Sequence, residues 1–433
     1  MSPKTSQIPL GRADALASQV IRDARQAGLP ARDIIPVDGI RRCAPAVDGT
    51  VMVAIVDDVH RETVLSGLAR LSVVRSVLGT SATTVRVITD RGLLEVHTTS
   101  PDMAGAALVW HTGTRRHVTW LRRRAASRGL TFNDGRLNTL GSATPSVPDE
   151  VSLYHLLDLP YVPPELREGE DEIGAIERGA LPSLIDTRHI RGDLHMHSTW
   201  SDGRDSILQM ARTARELKYE YIAITDHSER SWASRKLLAL EIPLQRKEIH
   251  TVRSQVPGIE ILHGVEVDIM SDGSLDFDDD TLADFDIVLA SLHNAAGDDG
   301  AQLTQRYLQA MWHPLVNIIT HPANRSPALS DGYELDFDRL FRAAVQTNTA
   351  MEIDGAPGHL DMDGRIARQA VAAGVTLVVN SDCHRAEALA RQMSFGIGTA
   401  RRGWVGPEQV LNTRGIEGIR EFIARKRGRS AGS

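Results

Sequence analysis

Cysteine is nearly missing from this chain: Cys43 and Cys383 are the only two in 433 residues, far apart in sequence. Such a pair builds no disulfide framework and reads as reduced thiols. Aromatic residues are also scarce, at 4%, which argues against an extensive base-stacking platform. No apolar run approaches the ~20 residues of a membrane-crossing helix. The opening Met1-Ser2-Pro3-Lys4-Thr5-Ser6 lacks the apolar stretch of a secretory signal. These absences predict a cytoplasmic globular chain of two or three domains, with no membrane and no obligate protein partner evident.

Charge is present but unevenly placed. Residues 1–150 carry 19 Lys+Arg against 14 Asp+Glu, whereas the whole chain is at -7, so the remainder is strongly acidic. An acidic second half rich in histidine suits cations, and a mildly basic first half suits a phosphate backbone.

In the first half, Leu10, Ala13, Leu16, Val20, Ile21 and Ala24 recur at helical spacing. Strands are predicted at residues 51–56, 85–88 and 93–96, the last two joined by Asp90-Arg91-Gly92 as a hairpin turn. A helical stretch at 104–108 and an arginine-rich helix at about 117–127 follow. The pattern predicts a small α+β domain with an antiparallel sheet over residues 1–133. Residues 134–150 are rich in Gly, Ser, Thr and Pro and read as a linker. With the connector that follows, this region extends to 189.

From residue 190 to 433 the pattern becomes α/β. Apolar runs at 190–196, 221–225, 259–267, 287–292, 316–320, 350–353 and 375–380 are separated by helical stretches such as 207–217, 303–311, 340–347 and 364–373. Alternation of this kind predicts parallel βα units, and this many predict a barrel. A barrel gathers its chemistry at the carboxyl ends of its strands. Those ends carry His195 and His197, Asp226-His227, Glu266, His293, His321 and Asp382-Cys383-His384, with Asp202 in the loop after the first strand. One histidine at a strand end is commonly an ordinary hydrogen-bonded residue; six of seven predicted strands ending this way form a pattern.

Nine imidazole and carboxylate groups (His195, His197, Asp202, His227, Glu266, His293, His321, Asp382 and His384) are therefore the candidate metal-ligating and catalytic residues. They would hold two or three divalent ions, and nitrogen and oxygen ligands suit zinc, manganese or iron better than calcium or magnesium. Clustered ions acidify a bound water and clamp the oxygens of a phosphoester. Arg325, Arg401 and Arg402 are candidates to hold the phosphate, because guanidinium matches its oxygens in pairs. Asp193 and Asp226 are candidates to orient imidazoles. The remaining histidines read as structural or solvated: His250, His313 and His359 in helices or loops, His263 on the strand face opposite Glu266, and His189 ahead of the first strand.

His195-Met196-His197-x4-Asp202-Gly203, Thr225-Asp226-His227-Ser228, Gly264-Val265-Glu266, Ser291-Leu292-His293, Thr320-His321-Pro322 and Ser381-Asp382-Cys383-His384 together resemble the PHP (polymerase and histidinol phosphatase) domain. The resemblance implies a distorted (β/α)7 barrel with a trinuclear site. One ion would take His195, His197, Glu266 and Asp382; a second Glu266, His293 and His321; a third Asp202, His227 and His384. The family usually has alanine at the position of Cys383, so a thiol there would tune or merely fill the site.

Tyr161-Val162-Pro163-Pro164-Glu165-Leu166-Arg167-Glu168, Leu181-Pro182 and Ala400-Arg401-Arg402-Gly403-Trp404 further resemble the bacterial family X DNA polymerases. Gly105-Ala106-Ala107-Leu108, His111-Thr112-Gly113-Thr114 and the stretch from Arg122 to Leu130 track that family's palm and thumb. The departures matter. Where the family carries two magnesium-binding acids, this chain reads Thr50-Val51-Met52-Val53-Ala54-Ile55, with Glu95 as the lone third acid and Asp57 and Asp58 past the strand. The expectation is also that the chain starts too late to hold the family's N-terminal helix-hairpin-helix region. The expectation is a degenerate polymerase half joined to an intact phosphoesterase, acting on DNA 3′ ends as a 3′–5′ exonuclease or 3′-phosphatase. The competing expectations are a small-molecule phosphatase resembling histidinol-phosphate phosphatase, and a non-catalytic DNA-end-binding protein.

Overall fold

The computed structural model describes residues 7–139, 145–295 and 297–429, and the chain divides into two compact units after Leu181. In the first unit the helix Leu10–Gln26 buries the stripe Leu10, Ala13, Leu16, Ala17, Val20 and Ala24 against a five-stranded sheet. The sheet order is Asp33–Pro36, Thr50–Ile55, Gly92–Thr99, Thr84–Thr89, Val74–Thr80. Its central pair, Thr50–Ile55 with Gly92–Thr99, is parallel, so the sheet is mixed where a purely antiparallel one was expected. The helices Ala104–Thr112 and Arg115–Ala126 follow; Thr114 caps the second by accepting from the His117 amide. Asp134-Gly135, read as the start of a linker, turns a hairpin between Leu130–Asn133 and Arg136–Thr139. Both residues have positive φ, the conformation a tight hairpin turn selects. Of the expected linker, residues 140–144 lie outside the described residues. The connector beyond it folds into the helices Glu150–Leu156 and Asp171–Glu177 within the first unit.

The second unit is a nearly closed barrel of seven parallel strands in sequence order: β1 (Gly192–Asp193), β2 (Tyr221–Ile224), β3 (Glu260–Asp268), β4 (Ile287–Ser291), β5 (Val316–Ile319), β6 (Ala350–Asp354) and β7 (Leu377–Asn380). Four of the helices between them begin on side-chain caps, Ser206 with Gln209, Asp299 with Gln302, Asp336 and Asp363, each worth about 1 kcal/mol. Asp299 and Asp336 start their helices, Gly300–Trp312 and Phe337–Thr347, a turn ahead of the apolar periodicity that marks them in sequence.

Strand β1 is much shorter than the run 190–196 predicted, because side chains take over its ladder. Asn380 accepts from the Leu194 amide at 3.0 Å and Thr225 from the Met196 amide at 3.1 Å. The His197 amide donates to the Cys383 carbonyl at 2.9 Å, and a parallel bridge from Met196 to Cys383 draws the two edges together.

Alternate strand positions divide the barrel into two cores. Outward residues such as Ile222, Ile224, Val288, Ala290, Met351 and Ile353 pack under the helices. Inward residues Tyr221, Leu262, Ile287, Ile318 and Ala350 cluster with Leu411, Ile419, Phe422 and Ile423, so the C-terminal helix Ile416–Arg429 packs on the strands' amino ends. Going up the strands at the same parity, the inward residues turn polar: Thr225 and His227 after Ala223, Glu266 and Asp268 after Leu262, Glu352 and Asp354 after Ala350. The barrel interior is thus apolar at its amino end and ionisable at its carboxyl end.

Candidate metal centre

All nine predicted ligands meet at the carboxyl end in overlapping groups. His195 Nε2 and His197 Nε2 lie 3.1 Å apart, and Asp382 Oδ1 stands 3.5 and 3.1 Å from them. Glu266 Oε2 is 3.5 Å from both nitrogens. Ligands ~2.1 Å from a tetrahedral cation stand roughly 3.4 Å from one another, which matches this set. Glu266 Oε1 faces His321 Nε2 at 2.9 Å and His293 Nε2 at 3.4 Å. Asp202 Oδ1 faces His384 Nε2 at 3.3 Å and His227 Nε2 at 3.6 Å. The donor atoms that lie close together form overlapping groups: His197, Asp202, His227 and His384; His195, His197 and Asp382; His195, Glu266 and His321; and His227, Glu266 and His293. His197 also stacks between the His227 and His384 rings, 4.3 Å from each, and His227 Nδ1 approaches Glu266 Oε2 to 2.8 Å.

The donor set fits divalent ions. Glu266 Oε2, Asp202 Oδ1 and His227 Nδ1 are buried, make no hydrogen bond, and sit among other donors. Leaving such atoms unpaired is costly, and a shared cation satisfies them. The protonation directions differ within the set: against burial, which lowers them, the neighbouring carboxylates raise His195 and His321, and raise His293 and His384 to about 9. Burial pushes His197 down to about 3, helped by the charges of His384 and His227. Burial alone would raise Glu266, yet His227, His293 and His195 hold it well below the usual carboxylate range. A neutral imidazole and an ionised carboxylate are the forms that ligate.

Three ligands are oriented from behind. His195 Nδ1 faces Glu352 Oε1 at 2.8 Å, His293 Nδ1 faces Asp268 Oδ1 at 3.0 Å, and His384 Nδ1 faces the Asp382 carbonyl at 3.0 Å. Each partner claims the Nδ1 proton and leaves Nε2 as the free lone pair. Glu352 is fully buried and also receives the Asn380 amide at 2.8 Å, the His321 backbone N–H at 2.9 Å and the Thr320 hydroxyl. Gly203 closes the turn after Asp202; a Cβ there would lie 2.5 Å from the His197 backbone. His321 and Asp382 adopt positive φ, 25° and 49°, a conformation that costs non-glycine residues of order 1–3 kcal/mol.

Several sequence expectations need correction. Asp226 orients no imidazole; it accepts from the amides and hydroxyls of Ser198 and Ser201 and from Gln245, organising the loop after β1. Asp193 likewise accepts backbone amides of His195 and Ser381, and burial pushes it up to about 7. Cys383 Sγ donates to the Arg385 carbonyl and belongs to the apolar core, where burial pushes its thiol up to about 12. It is a filler, not a ligand. Arg401 donates to the carbonyl of Ile185 at 2.8 Å. Ile185 pairs with Val405, near the Val410 bridge to the first residue of β7, so this arginine works at the amino end, away from the ligands. Arg402 is its helix neighbour, with its Cβ against Gly364. Arg325 stays near the mouth, buried and close to the Leu360 carbonyl (3.5 Å) and Asp363 (3.6 Å).

His359, expected to be structural or solvated, stacks on His321 with ring centres 5.2 Å apart and joins Asp354 and Asp382 in a further group. Glu352, Asp268 and Asp354 do not stand out among the strand-end residues. The signal that finds them is parity: Ala350-Met351-Glu352-Ile353-Asp354 alternates, and the two acids share the inward face. His263 lies outside the cluster as expected, against Gln245 (2.8 Å) and Phe285.

Residues 193–352 match the PHP domain. The chain carries a PHP domain. Residues 107–168 match the DNA polymerase beta thumb. The "DNA polymerase/3'-5' exonuclease PolX" of Bacillus subtilis (strain 168) is 35% identical over 370 residues, 84% of this chain and 64% of its own length. This chain therefore spans less than two thirds of that relative. The "Probable phosphatase" of Syntrophotalea carbinolica is 28% identical over 53% of this chain and 95% of its own length. "Probable phosphatase Teth514_1060" of Thermoanaerobacter sp. (strain X514) is 28% identical over 55% and 97%. No helix among the described residues is long and apolar enough to cross a membrane.

In the first unit, the strand that would present polymerase acids presents Val51 and Val53, which pack with Val37, Ala107 and Leu108. Glu95 is held by His97 (2.9 Å) and Arg86 (3.1 Å). Asp57 and Asp58 are paired with Arg32 and Arg61. Arg41 is locked in a two-pronged pair with Glu150, at 2.8 and 2.6 Å. Among the described residues, no pair of free carboxylates faces this strand to bridge two ions.

Proposed function

We propose that the protein is a metal-dependent phosphoesterase that shortens or trims DNA at 3′ ends, as a 3′–5′ exonuclease or 3′-phosphatase, without polymerase activity. The observation that carries this reading is the convergence of nine nitrogen- and oxygen-bearing side chains, three of them oriented from behind, at the carboxyl end of the barrel. Two or three zinc or manganese ions, or iron, bound there would supply an acidified water and neutralise charge on the phosphoryl oxygens. The chain's own part is to fix the ligand nitrogens through Glu352, Asp268 and the Asp382 carbonyl, and to keep the floor of the pocket dry with Leu194, Leu289 and Ile318. Glu266, using both oxygens, ties the first and second groups together. Arg325 is the arginine whose place near the mouth suits a phosphate oxygen. Similarity to a relative named as a polymerase and 3'-5' exonuclease, together with a thumb of the polymerase beta kind, supports DNA as the substrate.

The test is to incubate the protein with single-stranded and 3′-recessed DNA and manganese. Metal-dependent loss of 3′ nucleotides or phosphate is expected, abolished by chelator and by His195→Ala. Wild type behaving like His195→Ala on every DNA end would overturn the DNA reading. A small-molecule phosphatase is the second reading, favoured because relatives named as phosphatases match nearly their whole length with only half of this chain. Hydrolysis of phosphomonoesters without affinity for DNA at low salt selects it.

A further inference from the structure

The rim of the metal pocket is not uniform in charge. Beyond His293 and His321 the segments after β4 and β5 carry Asp298, paired with Arg306 at 2.9 Å, and Asp299, Asp331, Glu334 and Asp336, with Arg325 among them. On the side of Asp202, His227 and His384 cations and acids are interleaved: Arg230 pairs with Asp276 at 3.4 Å and Arg385 with Glu387 at 3.7 Å, and Asp205 and Glu229 stand beside Arg204 and Arg230. Arg204 lies two residues after Asp202, Arg385 one after His384, and Arg230, Arg235 and Lys236 follow His227.

The last three sit on an excursion of the chain that leaves the ligand His227 and returns to it. The Leu237 amide donates to the His227 carbonyl at 2.8 Å, and the Ser228 amide donates to the carbonyl of the ligand Glu266 at 3.0 Å. Both ends are therefore pinned to the site. Within the excursion, Ser231 is buried and bonded to Ser228, and the Arg230 amide is held by Asp276 at 2.7 Å. Trp232 stands at the tip with 72% of its surface exposed. Arg235 and Lys236 have no ion-pair partner among the described residues. An exposed indole costs apolar hydration, and unpaired cations beside it have nothing within the chain to neutralise them. A flat π-face flanked by free positive charge is complementary to a single-stranded nucleic acid: bases stack on the ring while phosphates meet the cations.

We propose that the excursion from Ser228 to Lys236 is a platform for single-stranded nucleic acid. A base of the strand stacks on Trp232, and the backbone runs over Arg235 and Lys236 toward the Asp202–His227–His384 side of the pocket. This inference rests on the DNA reading above and narrows it: the preferred substrate is a frayed or single-stranded end, not a paired one.

The test uses the full chain with manganese and three probes: a single-stranded oligothymidylate, its hydrolysis-resistant phosphorothioate form, and bis(p-nitrophenyl) phosphate. Trp232→Ala is expected to weaken binding of the phosphorothioate strand by on the order of tenfold and to raise KM for the unmodified strand. Hydrolysis of the small diester should be unchanged. Arg235→Glu with Lys236→Glu should flatten the dependence of binding on salt, the logarithmic slope falling by about 0.7 for each phosphate no longer neutralised. If wild type binds and trims the strand and both variants match it, the platform is overturned while the DNA reading stands. If wild type splits the small diester but neither binds nor trims the strand, the DNA reading fails and the platform with it.

Discussion

Two buried strands of similar length, one in each unit, show what decides where acids survive. Thr50–Ile55 gives alternate positions to Val51 and Val53, which pack with Val37 and Leu108. Strand β6 gives them to Glu352 and Asp354. Burying an ionised carboxylate without partners costs several kcal/mol. Around Glu352 the chain assembles His195, Thr320, Asn380 and the His321 amide. Around Val53 it assembles only apolar surface. One backbone plan therefore serves as core in the first unit and as support for an ion site in the second.

The contrast breaks most sharply at Glu266, the carboxylate shared between groups. Glu266→Ala should strip the protein of metal, read by elemental analysis, and reduce phosphoester hydrolysis to background; retention of full metal content would remove Glu266 from the centre. Glu352→Gln should cost roughly 10–100-fold in activity or metal affinity, because the amide no longer holds the His195 Nδ1 proton as a carboxylate does. Activity within experimental error of wild type would leave Glu352 as structural only. In the first unit, Val53→Asp reinstates an acid without its partners. It should lower stability by at least ~2 kcal/mol in denaturant unfolding and restore no nucleotide incorporation.

Acid should also act on the first unit. Burial holds His111 down to about 3, with the His97 charge adding to the effect, while the unfolded residue titrates at about 6.5. The unfolded chain therefore binds a proton that the folded chain refuses, and stability falls as pH drops from about 6.5 toward 3. His111→Phe should lessen that decline relative to wild type; an identical pH profile would refute the assignment. The smallest effect is expected at Arg401. Arg401→Ala should change hydrolysis by less than about twofold, since this residue bonds at the amino end of the barrel, and a large loss would contradict that placement.

Much of the second unit was legible in the sequence because strands and metal ligands both leave local marks. His195-x-His197, Asp226-His227 and Asp382-Cys383-His384 each stand where an apolar run stops, and a parallel barrel collects such stops on one face. The supporting acids were less visible. Glu352 sits inside its strand, not at the end, and reads as a polar interruption until parity is traced. Asp268 and the 3.0 Å contact to His293 span 25 positions, so neither residue announces the other. His359 lies in a loop whose path alone brings it to His321. Arg401 shows the opposite failure, a residue whose type suited phosphate and whose position did not.

The sequence by itself determined the succession of βα units and the placing of imidazoles and carboxylates where apolar runs stop, since periodicity and residue chemistry are properties of short stretches. Only the tertiary structure decided which acid stands behind which imidazole, that Cys383 faces the core, and that the excursion after His227 returns to that residue's carbonyl. Those facts depend on where separate loops arrive in space. Hydrogen bonding and charge act over a few ångströms, a distance that the order of residues along the chain does not specify.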